Sequence, residues 1–365
     1  MEPITHFLTG ACMGRAGLNR KTAYATLTAV LASEFPDVDV IWGVGGPVEE
    51  LKHHRGITHT FLGAPFEAAV VLGAVWLLDR GWRRWRERKG RTRELKSPLR
   101  WGWLYGTALL SIMVHLLLDW TNNYGVRPFY PFNARWYAGS IVFIAEPVLW
   151  ALLLAALILP ALFGLADSEI GARRKPFRGR GWAVFALSGM VMLWCWRWAE
   201  QAQARAMLAN VQVTADPIRR VALEPYPGNP FRWHAIVETD NYFQMAEINT
   251  RTGSIQSDAR RDALFKPPTT AAVEAAKRTP LGQVYLDWSS WPLLREVGRQ
   301  PIPGITPPDP GPNRAWTTVE FSDLRYAYSF LGADRGTGRI PLSGAVYIVD
   351  GRDEAGEMLN GQEQK

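Results

Sequence analysis

Residues 139–166 carry one ionisable side chain, Glu146, in 28 positions, and the Leu-rich stretch 149–165 carries none. About 20 predominantly apolar residues cross the hydrocarbon core of a bilayer as a helix, so this run reads as a transmembrane span. Three other apolar blocks flank it at 61–78, 102–120 and 182–198, and the third block as a whole runs over 137–166. The first and last are at the short end of spanning length. The spacing therefore predicts four spans in an α-helical polytopic membrane domain over residues 1–200. Beyond it the composition turns mixed, as in a small soluble α+β domain with a mainly antiparallel sheet over 201–350 and a mobile polar tail over 351–365.

The basic residues set the expected orientation. Between Arg80 and Arg100 there are ten Lys or Arg against two acidic residues, and 167–181 carries Arg173, Arg174, Lys175, Arg178 and Arg180. The connection 121–136 has only Arg127 and Arg135. The positive-inside rule puts both basic connections in the cytoplasm and residues 199–365 on the other side. Trp182, Trp194, Trp196 and Trp198 then form an aromatic belt at the ends of the last span. The first block lacks a basic n-region and a small-residue cleavage site, so it is expected to stay in the membrane. The net charge of +7 accompanies no base-reading motif, which makes the lipid bilayer the expected partner and direct nucleic-acid binding unlikely. Cys12 and Cys195 both sit in apolar surroundings and imply no disulfide framework.

Three short stretches bring chemistry to one end of the helices. Lys52-His53-His54-Arg55-Gly56-Ile57-Thr58-His59-Thr60 places three histidines in seven residues just before the first block. A turn at Gly56 allows His54 and His59 to reach one cation, imidazole being a neutral nitrogen ligand. His115 and Asp119, four residues apart, share a helix face, and each needs a partner inside an apolar bundle. Either a shared metal or a plain His–Asp hydrogen bond supplies it. Phe35-Pro36-Asp37-Val38-Asp39 ends a preceding helix over 22–35 and adds two carboxylates able to complete a mixed nitrogen and oxygen shell. The topology brings His59 and Asp119 to the same membrane face. Glu146, about eight residues into the third span, is a further functional candidate by its cost in lipid; its simpler role is a kink at Pro147 with the acid paired to an arginine. His6 is a lone histidine near the N-terminus.

The stretches Pro3-Ile4-Thr5-His6, Pro36-Asp37-Val38-Asp39, His54-Arg55-Gly56-Ile57-Thr58-His59-Thr60 and His115-Leu116-Leu117-Leu118-Asp119 followed by Gly125 resemble the YdjM-like family over residues 1–165. That family is described as membrane-bound metal-dependent hydrolases or LexA-binding inner-membrane proteins. The resemblance implies a bacterial inner (cytoplasmic) membrane location and a polar site made of His6, Asp37, Asp39, His54, His59, His115 and Asp119. It also implies metal chemistry and a protein partner. Glu146-Pro147 stands where such a family usually has aspartate.

The reading that unites these features is a membrane-embedded hydrolase acting on a phosphoester or lipid-linked substrate through metal-activated water. His6, His54, His59, His115 and Asp119 are the expected metal ligands, and Asp37 or Asp39 the expected base or bridging group. Arg55 is the expected phosphate clamp and Glu146 a fourth catalytic candidate. Zinc is the first choice of divalent metal, with manganese, iron or magnesium compatible with the same donors. A non-catalytic regulatory or structural membrane protein and an ion-coupled transporter are the alternatives.

In the C-terminal part, 232–238 and 242–249 read as a hairpin, with later strands at 315–321, 324–330 and 344–349. A short helix is expected over 271–277 and an irregular Pro- and Gly-rich loop over 301–312. His234 has no histidine neighbour in this part of the chain and reads as structural. The domain is expected to recruit a protein partner or screen substrates.

Overall fold

The structure is a computed structural model that describes residues 1–90, 95–169, 177–309, 311, 314–331 and 340–364. The chain divides into two compact units. One holds Met1–Val38, Arg55–Ala199 and Pro225–Pro230, and the other holds Asp39–His54, Glu200–Glu224 and Phe231–Lys365.

The first unit is helical. Helices α1 (Pro3–Met13), α2 (Asn19–Lys21) and α3 (Ala25–Glu34) precede a 3₁₀ segment, Phe35–Gly45, and α4 (Pro47–His53), both of which lie largely in the second unit. The long helices α5 (Ala64–Arg88), α6 (Trp101–Thr121), α7 (Pro147–Glu169) and α8 (Arg180–Ala209) follow. Small residues set the spacing. An added Cβ at Gly10 would lie 2.7 Å from the Ala29 carbonyl oxygen, and one at Gly14 would lie 2.7 Å from Thr26 Oγ1. Hence α1 and α3 pack nearly backbone to backbone, as small residues four apart allow. Ala32, Ala64, Ala68, Val71, Ala108 and Ile112 form a buried seam among α3, α5 and α6. Leu8, Cys12, Leu153, Ala156, Ala183 and Ala186 do the same among α1, α7 and α8.

Among the described residues two helices are long and apolar enough to cross a membrane, Trp101–Thr121 and Pro147–Ala166. Four spans were expected. The block 61–78 is helical from Ala64, in α5, which counts as a third span only as a bent pair with Pro47–His59, and the block 182–198 is helical inside α8, where Arg197 interrupts the apolar run. The third block begins at Pro147 rather than at 137, because residues 137–146 are irregular. Much of the basic connection 167–181, including Arg173, Arg174 and Lys175, lies outside the described residues, as do Arg91 and Arg93.

The second unit is built on two antiparallel five-stranded sheets. In the first, β1 (Arg220–Pro225), β2 (Arg232–Glu238), β3 (Tyr242–Asn249) and β4 (Ser254–Gln256) lie in order, and β5 (Ala263–Phe265) also pairs with β3. The end of α8 covers one face, where Ala204 and Leu208 meet Trp233, Ala235 and Val237 of β2. Ile236, on the opposite face, packs with Phe243, Trp291, Leu293 and Leu324. Because both faces are covered, Trp233–Val237 are buried without the alternation of a half-exposed strand. Helices α9 (Ala271–Ala276) and α10 (Pro280–Trp288) start on the Thr270 and Thr279 side-chain caps. They lead to the second sheet, ordered β10-β9-β8-β7-β6 with β6 (Pro292–Glu296), β7 (Trp316–Asp323), β8 (Gly344–Val349), β9 (Asp353–Leu359) and β10 (Gln362–Glu363).

Two expectations differ here. The stretch 324–330 is not a strand: Leu324–Tyr326 and Ser329–Leu331 are 3₁₀ turns, the first begun by Asp323 accepting from the Arg325 N–H. The polar tail supplies β9 and β10, and Gln364 accepts from Val48 N at 2.8 Å and donates to the Gly45 carbonyl at 2.8 Å. His234 is buried with its ring 5.0 Å from that of Tyr328.

Asp323 and Arg325 form a buried ion pair, Nη2 to Oδ2 at 2.8 Å, and Ser289 also donates to Asp323 at 2.5 Å. Burial opposes the charge on Asp323, but Arg325 and these hydrogen bonds outweigh it and hold the carboxyl below its ordinary value. With the folded-state pKa depressed, this contribution is complete above the unfolded value of about 3.9 and is lost only as pH falls through the depressed one. At neutral pH, Arg325→Met strands a buried carboxylate and is expected to cost about 3–5 kcal/mol. A lowered thermal midpoint for the single variant, partly restored in Arg325→Met/Asp323→Leu, is the check.

Candidate metal centre

Asp37, His59, His115 and Asp119 each present one donor atom, and all four atoms lie within 4.8 Å of one another. Helix α6 supplies His115 and Asp119 from one face, as their spacing requires. The 3₁₀ turn Ile57–His59 supplies His59, and the chain leaving α3 supplies Asp37. His59 Nε2 is 3.3 Å from Asp37 Oδ1 and 3.3 Å from Asp119 Oδ2. His115 Nε2 is 3.7 Å and 3.4 Å from the same two oxygens, and the two Nε2 atoms are 3.1 Å apart. Four donors about 2.0–2.1 Å from a tetrahedral cation are separated from one another by about 3.3 Å. The five separations therefore match the edges of a metal tetrahedron.

The surroundings prepare these atoms as ligands. His115 Nδ1 meets the Ser33 carbonyl at 2.7 Å, which makes Nδ1 the protonated nitrogen and leaves the Nε2 lone pair facing His59. His59 Nδ1 lies 3.1 Å from Thr58 Oγ1. Asp119 Oδ2, one of the four donor atoms, is buried without a hydrogen-bond partner, a costly state for a carboxylate that a cation relieves; in Asp37 it is Oδ1 that faces the histidines. Three of the four side chains are fully enclosed, whereas that of Asp37 is 19% accessible and marks the side open to small molecules.

The other oxygen of Asp119 is claimed by cations of the protein. Arg55 Nη2 donates to Oδ1 at 2.8 Å, and the Met1 amino group also pairs with it. Arg55 is buried, donates to the Gly125 carbonyl and lies 4.6 Å over the Tyr124 ring. The expected phosphate clamp is thus turned inward and positions Asp119. His6 stacks on His115 at 3.7 Å and brings Nε2 to 3.5 Å from Asp119 Oδ1, so it flanks the four donors without being one of them.

Three expected members are elsewhere. Asp39 and His54 belong to the second unit and pair with each other, Nδ1 to Oδ1 at 3.2 Å. In a 3₁₀ segment the two-residue step from Asp37 to Asp39 rotates successive side chains by about 240°, so the two carboxylates leave on different sides. Glu146 is at the start of α7 instead of inside a span. Its oxygens accept from Arg197 Nη2 at 2.8 Å, Gly228 N at 3.0 Å and Val148 N at 3.4 Å.

Glu34 was not singled out by the sequence. It ends α3 one turn before Asp37, and burial, followed by the charge of Asp37, pushes its carboxyl up to about 7. Its position directly before Phe35-Pro36-Asp37 was the available signal. Burial opposes the charge on Asp37 itself, but its hydrogen bond to His59 and the nearby histidines hold it below the ordinary carboxylate range.

A sequence model of the family described as YdjM inner membrane protein matches residues 1–204. The chain is 24% identical over 165 residues to the uncharacterized protein YfhP of Bacillus subtilis (strain 168), an alignment covering 43% of this chain and 45% of that protein. It thus spans just under half the length of this curated relative. No solved structure matches.

The geometry predicts that full-length protein purified in detergent retains a divalent cation. X-ray absorption should show nitrogen and oxygen neighbours at about 2.0–2.1 Å if that ion is zinc. His59→Ala and His115→Ala are each expected to lower metal occupancy at least tenfold, whereas His54→Ala leaves it unchanged; equal occupancy in all three would refute the four-donor assignment.

Proposed function

The chain belongs to the YdjM inner membrane protein family, and we propose that it is a membrane-embedded metal-dependent hydrolase of phosphoester or lipid-linked substrates. The observation that carries this reading is the set of four donors within 4.8 Å of one another, with the Asp119 donor oxygen buried and unpartnered. Asp37, His59, His115 and Asp119 would hold the ion, with zinc favoured by two imidazoles and two carboxylates. A divalent cation there would supply Lewis-acid chemistry, and because four protein donors already complete a tetrahedral shell, activation of water requires that shell to expand or one donor to yield.

The protein's own groups do the rest. Ser33 and Thr58 fix the histidine rings, and Arg55 holds Asp119 so that only Oδ2 faces the ion. Glu34, one turn before Asp37 and with its carboxyl pushed up to about 7 chiefly by burial, is our candidate for proton exchange with the site. The apolar helices limit access of water, and the partial exposure of Asp37 gives a substrate its approach. A lipid-linked ester suits a site carried at the end of the apolar helix α6, because such a substrate shares the helix's solvent.

Hydrolysis of bis(p-nitrophenyl) phosphate and of phosphatidic acid by the detergent-solubilised full chain tests this. Activity is expected to rise with pH through about 7 as Glu34 loses its proton, in line with its raised value. His59→Ala and Asp37→Asn should each lower turnover by about 100-fold or more with the fold retained, and Glu34→Gln should remove the rising limb. Metal-loaded protein inert toward both substrates, or a His59→Ala variant as active as the parent, refutes the reading.

A further inference from the structure

At the other end of α6 the helical unit has an open groove of about 590 Å³. From Trp103 to Asp119 is 16 residues, about 24 Å along the helix axis, so this groove is remote from the four-donor cluster. A second hollow of about 480 Å³ adjoins it and shares Leu18, Trp103 and Leu110. Between them they carry four cations: Arg20, Lys21 and Arg180 in the first and Arg100 in the second. Among the described residues no acidic side chain lines either hollow. Arg83 on α5 pairs with Asp79 at 2.8 Å, whereas among the described residues no ion pair joins any of these four cations to a carboxylate.

Two of the four are held in place by backbone carbonyls and a third by a ring. Arg180 Nε donates to the Ala16 carbonyl at 3.1 Å and Arg20 Nη2 to the Phe177 carbonyl at 3.4 Å, each using one of five donors. Lys21 Nζ lies 5.6 Å from the Trp103 ring centroid. Below the cations the walls are apolar, with Leu18, Leu110 and Leu187. Along α6, Gly102 and Gly106 have no heavy atom within 4 Å of where a Cβ would stand, so the helix surface is open there. Leu110 is near the middle of a 21-residue helix apolar enough to span, and the groove therefore runs from a cationic rim toward the bilayer's depth.

We propose that this groove binds one anionic phospholipid, its phosphate among Arg20, Lys21, Arg100 and Arg180 and an acyl chain along Trp103, Gly106 and Leu110. A free phosphate matches the rim but leaves the apolar floor wet, while a neutral chain matches the floor but leaves four cations uncompensated. An anionic lipid satisfies both, as basic pockets between membrane helices do in general. This site is independent of the hydrolase reading.

Native mass spectrometry of the full chain in detergent, with added dioleoylphosphatidylglycerol or dioleoylphosphatidylcholine, tests it. The parent is expected to retain the anionic lipid about tenfold or more tightly, and Arg20→Gln/Lys21→Gln/Arg180→Gln to lose that preference. Arg83→Gln/Arg84→Gln, on α5, lowers net charge without touching the groove and should keep it. Leu110→Trp, which fills the floor and leaves the cations, should weaken retention as well. Glycerol phosphate should compete poorly. Equal retention of the two lipids, an unchanged preference in the triple variant, an equal loss in the Arg83/Arg84 control, or full competition by glycerol phosphate each overturns the proposal. Metal content and thermal midpoint, read in parallel, identify a misfolded variant, in which case the Leu110→Trp and competition results decide.

Discussion

A carboxylate sunk in an apolar helix bundle is the constraint around which the first unit is organised. Asp119 is fully buried, and an isolated charge in such surroundings would cost many kcal/mol. Its two oxygens are compensated differently. Oδ1 collects Arg55 and the Met1 amine, with the His6 ring close by. Oδ2 faces His59 and His115 without a hydrogen bond of acceptable geometry. The four groups that converge on Asp119 from outside α6 come from Met1, α1 and the turn at residues 55–59. Their positions are therefore fixed by one electrostatic demand as well as by packing.

Packing makes that convergence attainable. Gly10 and Gly14 let α1 approach α3, which brings the Ser33 carbonyl to His115 and the His6 ring onto it. The alanine seam among α3, α5 and α6 does the same for the chain on either side of Asp37 and His59. In a lipid environment the hydrophobic effect adds little between helices, so close van der Waals contact and polar links have to hold the bundle. The cluster supplies such links, and it is exact in geometry because the helices carrying it cannot slide.

The helix face of His115 and Asp119 was legible from their four-residue spacing, and so was the meeting with His59, because apolar blocks on both sides fixed which ends come together. The alternation of Asp37 and Asp39 was misleading. It reads as two ligands only if the segment is extended, whereas a 3₁₀ path sends the second carboxylate to His54. Arg55 was read as a substrate group since an arginine beside histidines has that chemistry; its burial depends on Gly125 and Tyr124, some 70 residues away, and no local pattern reveals it. In the second unit the strands at 232–238, 242–249 and 344–349 stood out by β-branched and aromatic content. The alternation over 324–330 was equally strong, yet the Asp323 side chain captures the Arg325 N–H and turns the chain. A long-range choice between a ladder and a local cap is not written in hydrophobic periodicity.

Three acids in the helical unit show how a structural charge differs from a binding one. Glu146 stood out in the sequence because it interrupts the longest apolar run, and intramembrane acids are functional candidates by default. At the head of α7 it is saturated: Arg197 neutralises one oxygen, and two backbone N–H groups occupy the other. Nothing remains with which to take a ligand, and its work is to tie α7, α8 and the 225–230 segment together. Asp37 and Asp119 are embedded as deeply in polar neighbours, but each keeps an oxygen that no donor reaches. The Asp119 deficit lies where the His59 and His115 Nε2 atoms are 3.1 Å apart, and a cation between them would supply the partner that Asp119 Oδ2 lacks.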